Sequence, residues 1–154
     1  MNMEPKEIDV SQEIDVRQLE MKKANFPDTL LADLGPCIAI GVYDPKTRSG
    51  YMMHEPHFQY ANLDGKIDEI RRDYGDLTRL KVFAAGNSLA SDDHAEQREF
   101  ERSNRQYVEQ TLRKYFQDSQ LQIRWMPDDH SCGLYLHTST GEFELDVDSL
   151  DEMF

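Results

Sequence analysis

Thr29-Leu30-Leu31-Ala32-Asp33-Leu34-Gly35-Pro36-Cys37-Ile38-Ala39-Ile40-Gly41-Val42-Tyr43 contains two apolar runs separated by one break. Gly35-Pro36 supplies the break, because proline fixes φ and has no N–H to give to a ladder. The second run is apolar at nearly every position, the pattern of a strand covered on both faces. Such a strand lies inside a sheet with packed material on each side, which predicts a mixed fold of strands and helices.

Working outward, Asp44-Pro45-Lys46-Thr47-Arg48-Ser49-Gly50 holds turn formers at both ends and is followed by Tyr51-Met52-Met53-His54, so Cys37 to His54 reads as a β-hairpin. Leu63, Ile67 and Ile70 recur at helical spacing before Gly75, predicting a short amphipathic helix from about Asp64 to Tyr74. Leu80 to Ala85 is a further strand, running into Gly86-Asn87-Ser88. From Asp93 to Gln117 there is no Gly or Pro, and Phe100, Tyr107, Val108, Leu112, Tyr115 and Phe116 fall mostly on one face of a long helix. Leu121 to Trp125 alternates, and Leu134 to His137 with Glu142 to Leu145 flank the turn Thr138-Ser139-Thr140-Gly141. Near the start, Glu7-Ile8-Asp9-Val10 and Glu13-Ile14-Asp15-Val16 repeat an apolar/acidic alternation suited to edge strand, whereas Lys22-Lys23-Ala24-Asn25 reads as a polar stretch. The expectation is one domain over 1–154, with an N-terminal strand region at 1–28 and an acidic tail at 146–154 that carries Leu150, Met153 and Phe154. Its class is α/β (α+β).

The 154 residues can close a core without disulfide or metal. Lys and Arg total 17 against 30 Asp and Glu, a formal charge of -13, and that field repels nucleic-acid backbones and anionic membranes. No apolar run approaches the roughly 20 residues of a membrane span, and the opening Met1-Asn2-Met3-Glu4-Pro5 lacks a secretory pattern. A cytoplasmic location is expected, with both cysteines, Cys37 and Cys132, as free thiols.

Cys37 begins the buried strand just after the backbone bend, where a side chain can be presented at a cleft. His54 ends the partner strand. Antiparallel pairing brings the start of one beside the end of the other, as a Cys–His nucleophile and base require; the plain reading is an inert core cysteine and a polar edge histidine. A thiolate beside an imidazolium would have a pKa below the free-thiol value of about 8.5. Asn87 could orient or donate, or simply serve its turn. His57, His94, His130 and His137 show no zinc-ligand spacing and read as solvated surface. Cys132 reads as structural, with a resolving thiol as the functional alternative. No cofactor is called for.

Leu34-Gly35-Pro36-Cys37-Ile38-Ala39-Ile40-Gly41-Val42-Tyr43-Asp44-Pro45, with Gly50, Met53 and His54, resembles the CheD family of chemoreceptor glutamine deamidases. That family's signature is a Leu-Gly-Ser-Cys strand, an aliphatic run ending Tyr-Asp, a short turn and a His. The 17-residue spacing from Cys37 to His54 agrees with it. Lys81 to Asn87 is similar to the family's Lys-Val-Phe-Gly-Gly-Ala-Asn, Glu101-Arg102-Ser103-Asn104 to its Gly-Glu-Arg-Asn, and Ile123 to Leu145, with Asp128, to its closing strand pair. The similarity runs in order from about Thr29 to Leu145.

The resemblance implies a mixed β-sheet sandwich with helices packed outside, a CheD-like cysteine hydrolase fold. It further implies deamidation of glutamine side chains on a helical receptor cytoplasmic domain, with Cys37 as nucleophile, His54 as base and glutamate methyl esters as further substrates. A chemotaxis phosphatase-type protein is an implied partner. Three departures stand out: Leu31 where the family has an active-site Thr, Pro36 for the Ser before the nucleophile, and His130-Ser131 for a Gly-Gly. With Leu31 unable to orient the base, Thr29, Asp33 and Asn87 are the available substitutes. The competing readings are a catalytically degenerate binding module and a deamidase of a protein outside chemotaxis.

Overall fold

The apolar run becomes strand β4 (Ile38–Asp44), in which every residue is buried. In the computed structural model, which describes residues 11–90 and 92–149, the strands before and after it are β1 (Glu13–Asp15), β2 (Glu20–Asn25), β3 (Thr29–Leu34), β5 (Ser49–Glu55), β6 (Lys81–Gly86), β7 (Leu121–Trp125), β8 (His130–His137) and β9 (Glu142–Ser149). They form a five-stranded sheet, β2-β5-β4-β6-β7, and a four-stranded sheet, β1-β3-β8-β9. In the larger sheet β7 lies parallel to β6 and the other pairs are antiparallel.

Two helices, α1 (Leu63–Tyr74) and α2 (Ala95–Tyr115), cover the outer face of the five-stranded sheet. Asn62 starts α1 by accepting a bond from the Gly65 N–H, and Gly75, at φ 81, ends it in the left-handed conformation that glycine adopts without penalty. Leu63, Ile67, Ile70 and Tyr74 then fall on one stripe against Ile38, Ile40, Val42 and Met53. Between the sheets lies a second core of Leu30, Ala32, Leu34, Cys37, Ala39, Met52, Phe83, Leu134 and Leu136. Strand alternation divides the larger sheet's residues between these two layers. The architecture is a mixed α+β sandwich with its helices outside. Gly41 is the point of closest approach: a Cβ there would stand 2.5 Å from the Phe143 ring, so only glycine admits that ring between the sheets.

Three expectations change. Lys22 to Asn25 belong to β2, paired along its whole length with β5 and carrying one buried residue, Ala24. Lysines on a sheet edge discourage further strand addition, so a polar sequence can still be strand. Residues 146–149 continue β9, with Leu145 and Val147 packed toward the inter-sheet core and Asp146 and Asp148 exposed; their acidity marks one face of a strand. The buried face of α2 carries Glu101, Asn104 and Thr111 beside Val108 and Leu112. The Glu7 to Val10 copy of the repeat, and Leu150, Met153 and Phe154, lie outside the described residues. Among the described residues no helix is long and apolar enough to cross a membrane.

Candidate active site

The β4–β5 register sets Ala39 opposite His54, and Cys37 lies two residues before Ala39. By strand alternation Cys37, Ala39 and His54 share the face that looks into the inter-sheet core, with Cys37 and His54 diagonal to each other across the hairpin. Both are buried, at 4% and 5% exposure.

The two ring nitrogens of His54 differ. Nδ1 lies 2.8 Å from the Val16 carbonyl. A carbonyl can only accept, so Nδ1 carries the proton and Nε2 holds the lone pair in the neutral ring. Nε2 is buried and without a hydrogen-bond partner. Val16 is held in turn by its N–H, which donates to the Leu31 carbonyl at 2.8 Å, and the Leu19 N–H donates to the His54 carbonyl at 2.7 Å.

The orienting group is therefore a backbone carbonyl and none of the three expected side chains. Leu30, Ala32 and Leu34 occupy the inward face of β3, which turns Thr29, Leu31 and Asp33 to the opposite face, away from His54. Thr29 instead bonds His137 Nδ1 at 3.1 Å, and His137 Nε2 donates to Glu144 at 2.8 Å. Asp33 is exposed.

Asn87 is buried at φ 61 and secures the nucleophile rather than the base. Its N–H donates to the Cys37 carbonyl at 2.8 Å and its Nδ2 to the Pro36 carbonyl at 3.3 Å. Gly86 brings that turn close, since a Cβ there would stand 2.4 Å from the Cys37 carbonyl oxygen.

Sequence reasoning quoted Glu101 and Asn104 only within the resemblance and assigned no role to the helix residues behind these loops. Arg105 Nε donates to Asn87 Oδ1 at 2.6 Å, and Nη2 reaches the carbonyls of Asn87 and Met126. Asn104 accepts from the Phe58 N–H and donates to the Pro56 carbonyl. Glu101 accepts from the Ala90 N–H at 2.6 Å. One face of α2 thus ties down the segments that leave β5, β6 and β7 at the Cys37 end. Beside it a cleft of about 390 Å³ is lined by Pro36, Ser88, Leu89, Ala90, Glu101 and Ser131, among others.

Burial pushes the Cys37 thiol upward, and the Glu55 carboxylate adds to that effect. The lowered pKa expected for a resting thiolate is not what this surrounding favours: desolvation and a like charge both oppose ionisation. Burial raises the Cys132 thiol to about 11, as befits a structural cysteine. Among the described residues no three His, Cys, Asp or Glu side chains converge as a metal site.

No family model matches the chain. No curated protein matches it either. Among solved structures it is similar to the Bacillus licheniformis hypothetical protein YfiH, with a TM-score of 0.42 and 12% identity over 62% of this chain. The chain spans 46% of YfiH, less than half of its length.

Proposed function

We propose that the protein is a cysteine-dependent amidohydrolase that deamidates glutamine side chains of a helical protein partner, a receptor cytoplasmic domain by the CheD resemblance. The observation that carries this reading is His54: a buried imidazole oriented through Nδ1, with an unpartnered Nε2 on the same sheet face as Cys37. A base needs that lone pair and that fixed ring.

His54 Nε2 takes the Cys37 proton as Sγ bonds to the carboxamide carbon. The C–N bond breaks as the imidazolium returns that proton to the leaving nitrogen, releasing ammonia and leaving a thioester. Water then adds, giving a proton to Nε2. The C–S bond breaks as the imidazolium re-protonates the thiol, and the acid formed gives its remaining proton to solvent and departs as a glutamate carboxylate. A glutamate methyl ester would follow the same course with methanol leaving.

The test is incubation with isolated receptor cytoplasmic domains, reading ammonia and a +1 Da shift at glutamine. Cys37→Ser and His54→Gln should each lower turnover by about 10³-fold or more. Absence of ammonia and of any mass shift with the unaltered protein would overturn the reading.

A second reading has its own observation. Cys37 is sealed to 4% exposure and its thiol is pushed up rather than down, which suits a scaffold that binds its partner without turnover. That reading expects retained binding of a receptor domain without deamidation. Leu31→Thr should change neither outcome, because position 31 faces away from the inter-sheet core.

A further inference from the structure

We propose that Arg105 is a positioning residue for the Cys37 nucleophile, acting through Asn87. The inference rests on the amidohydrolase reading and adds to it a residue that shapes the reaction without touching the substrate.

Arg105 Nε donates to Asn87 Oδ1 at 2.6 Å, and Nη2 donates to the carbonyls of Asn87 and Met126 at 2.7 and 3.0 Å. These acceptors are neutral, and burial works against the guanidinium charge. A solvated arginine bears no such cost, so the placement calls for a use. What it achieves is to hold Asn87 by side chain and main chain at once.

Asn87 passes that constraint to the nucleophile. It is fully buried at φ 61, in the left-handed conformation that Asn tolerates better than most residues. With Oδ1 turned to Arg105, Nδ2 donates to the Pro36 carbonyl at 3.3 Å, while the Asn87 N–H donates to the Cys37 carbonyl at 2.8 Å. The Ser88 N–H donates to the Gly35 carbonyl at 3.0 Å. Three successive carbonyls, of Gly35, Pro36 and Cys37, are thus held from one turn. Packing does little for this stretch, since a Cβ at Gly35 would meet nothing within 4 Å, and Pro36 has no N–H to bond. The held backbone sets where the Cys37 side chain points, and so whether Sγ stays on the His54 face. A nucleophile misplaced by about 1 Å can cost about 10²-fold in rate.

Lysine keeps the charge of Arg105 and loses its fork, so Arg105→Lys separates position from charge. The comparison set is the unaltered protein, Arg105→Lys, Arg105→Ala and, as control, Arg102→Ala, whose exposed side chain meets Glu99 at 3.5 Å on the same helix. In ammonia release from receptor domains, both Arg105 variants should lower kcat by about 10²-fold with KM little changed. Arg102→Ala should match the unaltered protein. Iodoacetamide labelling, read by mass spectrometry across pH, reports on the thiol without turnover. Once its backbone is released, Cys37 should label about tenfold faster in both Arg105 variants. Its profile should level off near pH 8.5, like that of an ordinary cysteine, while Cys132 keeps its slow rate.

Arg105→Lys with the turnover and the Cys37 profile of the unaltered protein overturns the proposal. So does equal acceleration at both cysteines, since the arginine then holds the fold and not the thiol. No ammonia from the unaltered protein removes the amidohydrolase reading alone, and the labelling profile still decides whether Arg105 places Cys37. Ammonia release with a profile that Arg105→Lys leaves untouched keeps the enzyme and removes the positioning role.

Discussion

His54 and Cys37 are prepared to different degrees. The imidazole is set, its tautomer fixed by the Val16 carbonyl and its second nitrogen left without a partner. The thiol is not, because burial and Glu55 hold its proton on. A resting thiolate–imidazolium pair is therefore disfavoured, and proton transfer belongs to the moment of attack. The alkylation rate of Cys37 in the free protein should keep climbing with pH past about 8.5, where an ordinary cysteine levels off. A plateau near neutrality would show a resting ion pair and refute this account. In nitrogen NMR at neutral pH, Nδ1 of His54 should carry the proton; a protonated Nε2 would put the lone pair on the wrong side for a base.

At the scale of elements, α2 is a clamp as much as a cover. Asn104 is wholly buried and satisfies both the Phe58 N–H and the Pro56 carbonyl, in the segment that follows His54 and Glu55. Asn104→Ala leaves both without their partner, at about 1–3 kcal/mol per buried group. The expected result is a lower melting temperature together with faster hydrogen exchange at the Phe58 amide; unchanged exchange there would mean the loop is held by other contacts. These roles were illegible in the sequence: the resemblance marked Glu101 and Asn104 without a role, and by periodicity Glu101, Asn104 and Arg105 look like the solvated face of a charged helix. The β4–β5 hairpin was legible because apolar continuity and turn chemistry agree there, and with it came the shared face of Cys37 and His54. The Val16 carbonyl was not, since a backbone acceptor has no residue-type signature. Strand β2 was hidden for a related reason: its ladder with β5 is backbone bonding, and its side chains are mostly those of an edge.

For the molecule as a whole, the ion pair of the fully buried Asp44 with Arg79 sits inside a strongly anionic chain. Asp44, fully buried at the end of β4, takes a two-point bond from Arg79, at 2.8 and 2.9 Å, together with the Lys46 N–H and the Thr47 hydroxyl. Arg79 chiefly, with those bonds, holds the Asp44 carboxyl at about 2, below its ordinary 3.8. A carboxylate lowered in this way stabilises the fold fully above about pH 4, and the contribution is lost as pH falls toward 2. The formal charge of -13 acts oppositely, because mild acid neutralises surface carboxylates and relieves their repulsion. Stability should rise as pH is lowered from 7 toward 5, then fall steeply below 4. Salt separates the two effects. Raising ionic strength from about 0.01 to 0.5 M shortens the Debye length from about 30 Å to under 10 Å, so the melting temperature at pH 7 should climb by several degrees. The buried pair is screened far less. Asp44→Asn should therefore cost about 2–4 kcal/mol at either salt concentration, and should flatten the loss below pH 4. A cost that vanishes in high salt would show that the pair behaves as a surface contact and that the acid limb belongs to other carboxylates.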